Sequence, residues 1–131
     1  MSRWTHVTGT IRVDTLSQIN RKDFQKWLES RIALLPKITG SERDADIWIK
    51  EKPGYNLSTW EDDTKIEYQT NAVIVIDGDL RDRDEEQVIK ELNELFKTIT
   101  RNLHWMIDQY TILIDDEFID NLKHFEYNIE E

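Results

Sequence analysis

The sequence predicts an α+β fold, a mostly antiparallel sheet with two helices on one of its faces. Three observations carry this. Segments in which apolar and polar residues alternate recur along the chain, the period of a half-buried strand. Two segments, 20–35 and 84–103, instead place their apolar residues three and four apart, as one stripe of a helix. The elements run β-α-β-(β)-β-α-β-β, and each helix has a single face to bury, which the sheet supplies.

In chain order, residues 5–14 set Val7, Ile11 and Val13 on one side and His6, Thr8, Thr10 and Arg12 on the other. Gly9 falls on the apolar side, where it marks a bulge or a close helix approach. Phe24, Trp27, Leu28, Ile32 and Leu35 form the first helical stripe, with Asn20 as its N-cap and Pro36 as its stop. Residues 45–51 alternate again, with Ile47 and Ile49 opposite Trp48, and Lys52-Pro53-Gly54-Tyr55-Asn56 reads as a turn. Residues 57–63 read as a loop or a short edge strand. The run Ala72-Val73-Ile74-Val75-Ile76 marks a central strand within 65–77, ended by the charged stretch Asp77 to Asp84.

The second helix, 84–103, carries Val88, Leu92, Leu95, Phe96, Ile99 and Leu103 as one stripe. Acids stand at its start and Lys97 and Arg101 near its end, as the helix dipole favours. Strands at 108–115 and 124–129 follow, the latter from Phe125, Tyr127 and Ile129. The whole, residues 1–131, is one ferredoxin-like α+β sandwich extended by one or two strands, with no internal repeat and no linker.

Charge sharpens the functional reading. The 131 residues hold 17 Lys and Arg against 27 Asp and Glu, a formal net charge of -10. Residues 1–60 carry ten basic and seven acidic side chains, and residues 61–131 carry seven and twenty. So acidic a chain repels phosphate backbones, which disfavours direct binding of nucleic acid; the acidity reads as a means of solubility or, more sharply, as a negative face that meets a basic partner or mimics nucleic acid. No stretch approaches the roughly 18 apolar residues of a membrane span, and the N-terminus lacks an apolar signal core. With no cysteine there is neither a disulfide framework nor a thiolate metal site. These features predict a cytoplasmic protein.

The familiar signatures of catalysis are missing. His6, His104 and His124 stand far apart, with none of the i+4 spacing of a helical metal pair. Asp77-Gly78-Asp79 looks like the start of a calcium loop, but Arg81 and Asp82 occupy the fifth and sixth positions, where such a loop needs Asp and Gly. There is no nucleophile elbow, and four scattered glycines make no phosphate-cradling loop. The sequence therefore predicts a non-enzymatic protein with no cofactor and no stoichiometric metal. An acid-base role for Asp62, Asp63 or Asp115, as in a carboxylate-based hydrolase, is the remaining catalytic alternative.

The aromatic residues suggest a binding surface instead. Trp4, Trp48, Trp60 and Trp105 lie at element ends or opposite the apolar face, and Trp48, Tyr55 and Trp60 flank the Pro53-Gly54 turn. Trp4, Arg12, Trp48, Lys50, Tyr55 and Trp60 are the candidate binding residues. Arg3, Arg12, Lys50 and Lys52 beside these aromatics would equally suit a nucleotide-like small ligand.

The start Met1-Ser2-Arg3-Trp4, followed by a strand with Gly9, and the segment Gly78-Asp79-Leu80-Arg81-Asp82 resemble small uncharacterised proteins of phages and prophages. The early Trp in a first strand is similar to the YubB ferredoxin-like family. Where that family often carries Cys beside the early Trp, this chain has Thr5. The resemblance covers two short patches and implies a phage-type accessory protein, with no catalytic residue carried over. The expected function is thus to bind a partner protein through an acidic and aromatic surface, with sequestration of a small ligand as the alternative. The half-polar, half-aromatic sheet face opposite the helices further predicts a twofold homodimer.

Overall fold

In a computed structural model of the chain, the structure describes residues 3–15, 19–20, 30–52, 66–67, 70–102, 105–119 and 122–127. The strands are β1 (Trp4–Thr15), β2 (Ile19–Asn20), β3 (Asp46–Lys52), β4 (Ile66–Glu67), β5 (Thr70–Arg81), β6 (Trp105–Asp116) and β7 (Lys123–His124). The long helix, α1, spans Glu85–Asn102, and residues 30–32 belong to a second helical segment. Five strands form one open sheet in the order β3-β5-β1-β6-β7, every neighbouring pair antiparallel, while β2 and β4 pair separately. The architecture is α+β, as the alternating periods require.

Alternation sorts the side chains. Val7, Ile11 and Val13 of β1, Ala72, Ile74, Ile76 and Leu80 of β5, and Ile112 and Ile114 of β6 are all buried on one face. Onto that face α1 presses Val88, Leu92, Leu95, Phe96 and Ile99, each no more than 1% exposed. Phe96 meets the Tyr110 ring edge-on at 4.8 Å and lies 5.1 Å from Phe125. The helix begins with a reciprocal cap. Asp84 accepts a hydrogen bond from the Gln87 N–H, and the Gln87 side chain accepts one from the Asp84 N–H, at 2.8 and 3.0 Å.

Gly9 lies in unbroken register with both neighbours, opposite Ile76 and Ile112. A Cβ there would stand 2.3 Å from the Thr111 carbonyl oxygen and 2.6 Å from the Ile112 Cα. The approach is therefore that of β6, neither a bulge nor a helix. The bulge lies farther along, where the register jumps between Arg12 and Val13 and leaves Asp108 of β6 as the extra residue.

Several boundaries differ from expectation. β5 does not end at Asp77 but runs on to Arg81. Its charged residues take the face away from α1, while Gly78 gives room to Ala45, whose Cα lies 2.6 Å from where a Gly78 Cβ would stand, and Leu80 is buried. Asn20 is not a helix cap, because it pairs with Ile66 in a strand. Beyond His124 no described residue continues the last strand, although Phe125 is buried and Tyr127 packs 5.2 Å from Phe96. The Phe125 N–H still donates to the Ile112 carbonyl at 2.8 Å, so pairing with β6 reaches one residue past His124, and Ile129 lies outside the described residues. The 57–63 segment, and residues 21–29 of the first helical stripe, lie outside the described residues. Among the described residues, no helix is long and apolar enough to cross a membrane.

Candidate functional site

Among the described residues, no helix covers the face of the sheet away from α1. Its residues stand in ranks fixed by the register. Trp4 is opposite Arg81, and His6 lies between Asp79 and Asp115. Thr8 lies between Asp77 and Leu113, with Asp46 beyond Asp77. Trp48, Val75, Thr10 and Thr111 form the next rank, and Lys50, Val73, Arg12 and Gln109 the one after. Thr8, Thr10, Asp77, Asp79 and Thr111 are exposed, and Trp48 retains 46% of its surface. The face thus grades from acidic at the Trp4 end, through Trp48 and Val75, to the basic Lys50 and Arg12.

At the acidic end a pocket of about 430 Å³ opens between Trp4, the 42–46 segment and the last residues of β5. Five carboxylates line it, Glu42, Asp44, Asp46, Asp77 and Asp79, against two guanidiniums, Arg43 and Arg81. The segment is held in place from below. Glu91 of α1 accepts hydrogen bonds from the Thr39 N–H and hydroxyl at 2.7 and 2.6 Å, and the Ala45 N–H donates to the Ile38 carbonyl at 2.8 Å. Arg81 pairs with Glu42, and Arg43 reaches Asp46 at 3.2 Å. An indole among surplus carboxylates suits a guanidinium or ammonium group, which ion pairing and the ring face both attract.

His6 stands beside this pocket. Its Nδ1 lies 2.6 Å from Asp79 and its Nε2 2.9 Å from Glu117. Carboxylates only accept, so both bonds require N–H on both ring nitrogens, the imidazolium form. The hydrogen bond to Asp79 first, and that to Glu117 after burial has opposed it, raise the His6 pKa above its ordinary 6.5. While both bonds hold, neither nitrogen has a lone pair for general-base work.

One residue earlier in the chain than Glu117, Asp116 turns to the other face and is fully buried. The Arg3 guanidinium donates to it at 2.5 Å, and the Phe118 and Glu85 N–H groups donate at 3.0 and 3.2 Å. Burial alone would push this carboxyl up, but Arg3 and the two N–H groups together hold it below its ordinary value. The Asp116 hydrogen bond in turn raises the Arg3 guanidinium. Three acids stand in a row at 115–117, and only Asp116 among them is buried, while Asp115 and Glu117 are exposed.

The structure brings together part of the predicted cluster. Arg12, Trp48 and Lys50 share two neighbouring ranks of the open face, with Arg12 3.3 Å from the bulged Asp108. Trp4 lies at the other end of the same face, in the acidic pocket, and is not their neighbour. Arg3 is drawn off to Asp116 and the Phe118 ring, 5.0 Å away, and does not join a cation-aromatic site on the open face. Tyr55 and Trp60 lie outside the described residues, as do Asp62 and Asp63, whereas Asp115 is exposed on the open face. Sequence reasoning placed His6 on this face but missed Asp77 and Asp79. The signal was present, since polar Asp77, Asp79 and Arg81 keep the period of two past Gly78. Among the described residues, no group of three or more His, Asp or Glu is arranged to hold a metal ion. No family model, curated protein or solved structure matches the chain.

Proposed function

We propose that this chain is a non-enzymatic accessory protein of the phage type, a ferredoxin-like domain that acts by occupying the basic surface of a partner protein. The element order supports the ferredoxin-like part. Without β7 and the short β2–β4 ladder, the chain runs β1, helical segment, β3, β5, α1, β6, and the order β3-β5-β1-β6 sets the first and third of these strands at the centre. The observation that carries the binding role is the acidic pocket around Trp4, at the end of a sheet face that no described helix covers. Basic side chains of a partner would pair with Asp77 and its neighbours while the indole supplies contact area.

Calorimetric titration with an arginine-rich peptide tests this. Binding should be saturable, weaken steeply with added salt, and fall about tenfold in Trp4→Ala and in Asp77→Asn, a loss on the scale of one charged or aromatic contact. Equal binding by wild type and both variants would remove the pocket from the function. Nucleotides titrated in place of the peptide examine the small-ligand alternative, which draws on Trp48, Lys50 and Arg12 in adjacent ranks.

A further inference from the structure

We infer that the outer edge of β3 docks a second copy of this chain, by antiparallel pairing about a twofold axis through Trp48. β3 ends the sheet, and its inner edge is fully taken by β5 in unbroken register from Asp46 to Lys52. Among the described residues no strand pairs with the outer edge, and the edge of a sheet carries a row of N–H and C=O groups that suits a further strand. The two ends of the sheet differ in how they are protected. At the far end, β6 is bulged at Asp108 and partly covered by β7. β3 has no bulge, no Pro and no Gly.

The occupant follows from the sequence of the strand, which is complementary to itself. With the axis at Trp48, Asp46 falls opposite Lys50 of the second copy, twice over. Ile47 falls opposite Ile49, also twice, and Trp48 meets its own mate. The open face then carries an acid-base pair, an indole pair and a second acid-base pair. The helix-side face carries two pairs of half-buried isoleucines that join the two cores. Moving the axis to Ile49 would set Ile47 against Glu51, and moving it to Ile47 would set Trp48 against Asp46. Only the axis at Trp48 matches every pair from 46 to 50.

The opposing force is the net charge of -10, which drives copies apart at low ionic strength. At about 0.15 M salt that repulsion is screened beyond about 8 Å, while directly opposed pairs are affected less. Asp46 is bonded to Arg43 at 3.2 Å in the single copy, but both side chains are mostly exposed, so exchange of that partner for Lys50 costs little. The inference goes beyond the partner-binding reading, because it uses the sheet edge and not Trp4; Asp46 also lines the acidic pocket, whereas Lys50 does not.

Charge exchange tests it. Sedimentation of the full chain at high micromolar concentration and about 0.15 M salt should give a dimer mass. Asp46→Lys and Lys50→Asp each set like charges opposite one another twice, and each should weaken association about tenfold or more. The double variant Asp46→Lys/Lys50→Asp restores opposite charges and should restore the dimer. A cysteine adds a geometric test, because the natural chain has none. Directly opposed residues have Cα atoms about 4.5–5.5 Å apart, within disulfide range, so oxidised Trp48→Cys should cross-link to itself. Asp46→Cys, about 13 Å from its mate, should not. Circular dichroism checks that each variant folds. A monomer mass for wild type, single and double charge variants that associate alike, or cross-linking at 46 as readily as at 48 would each overturn the inference.

Discussion

Asp116 and Glu117 are neighbours in the chain, yet they serve opposite faces of the sheet. Asp116 is enclosed, bound by Arg3 and by two backbone N–H groups that include the first of α1. Glu117 is exposed and reaches His6 across the open face. Both tie the start of β1 to the end of β6, with the Glu117 N–H adding a bond to the Trp4 carbonyl at 3.1 Å. The difference is solvent. On the covered face an ionic contact is part of the architecture, since any group left unpaired there stays dehydrated. On the open face the same kind of contact is weak, screened and free to exchange partners. The covered face fixes the fold, and the contacts of the open face add little to it.

The largest test of this contrast lies under α1. Leu95 is fully buried between helix and sheet, so Leu95→Ala should cost about 2–5 kcal/mol, read as a shift in the urea midpoint. A midpoint equal to wild type would mean that the covered face does not carry the stability. Next comes Asp116. Asp116→Ala removes the acceptor shared by Arg3, Glu85 and Phe118 and should cost about 1–3 kcal/mol. The sign with pH follows from the lowered carboxyl. Its contribution is fully present above the ordinary value of 3.8 and is lost as pH falls through the depressed folded value. Asp116→Ala should therefore unfold with less acid dependence than wild type. Parallel acid transitions would show that the buried contact contributes nothing.

Much of the covered face was legible in the sequence. The stripe from Val88 to Ile99 and the alternation of Val7, Ile11 and Val13 are repeats of apolar residues, and burial of apolar surface is what such repeats record. The α1 boundaries, Glu85–Asn102, are legible for the same reason, sharpened by the acids at its start. The open face was harder. Asp77, Gly78 and Asp79 look like a turn because strand propensity disfavours them. What keeps them in β5 is tertiary, with Ala45 seated on Gly78 and Leu80 in the core. The pairing of Arg3 with Asp116 spans 113 positions, and no local pattern encodes it. That Trp48, Lys50 and Arg12 share one face was legible because β1 and β3 alternate regularly. The distance of Trp4 from them depends on sheet register, which a single sequence does not display.

The smallest expected effect belongs to His6 and runs opposite to that of Asp116 in pH. Four carboxylates surround this imidazole on the open face: Asp79 and Glu117 bonded to it, Asp115 opposite in β6 and Asp77 two residues before Asp79 in β5. Because its pKa is raised, the stabilisation from protonated His6 is fully present below 6.5. It is lost as pH rises through the folded value, when the ring gives up one N–H and one of the two bonds. The side chain is 37% exposed, so solvent screening limits the whole contribution to about 0.2–1 kcal/mol. The urea midpoint of wild type should fall toward that of His6→Gln as pH rises above 6.5, and the two should differ most at lower pH. Proton titration of His6 followed by NMR should show a midpoint above 6.5, dropping in Asp79→Asn more than in Glu117→Gln, because the Asp79 bond is the shorter and stronger. A constant gap between wild type and His6→Gln across that range would mean that the bridge does not hold in solution. The Asp79 carboxylate would then lack the His6 bond across that range.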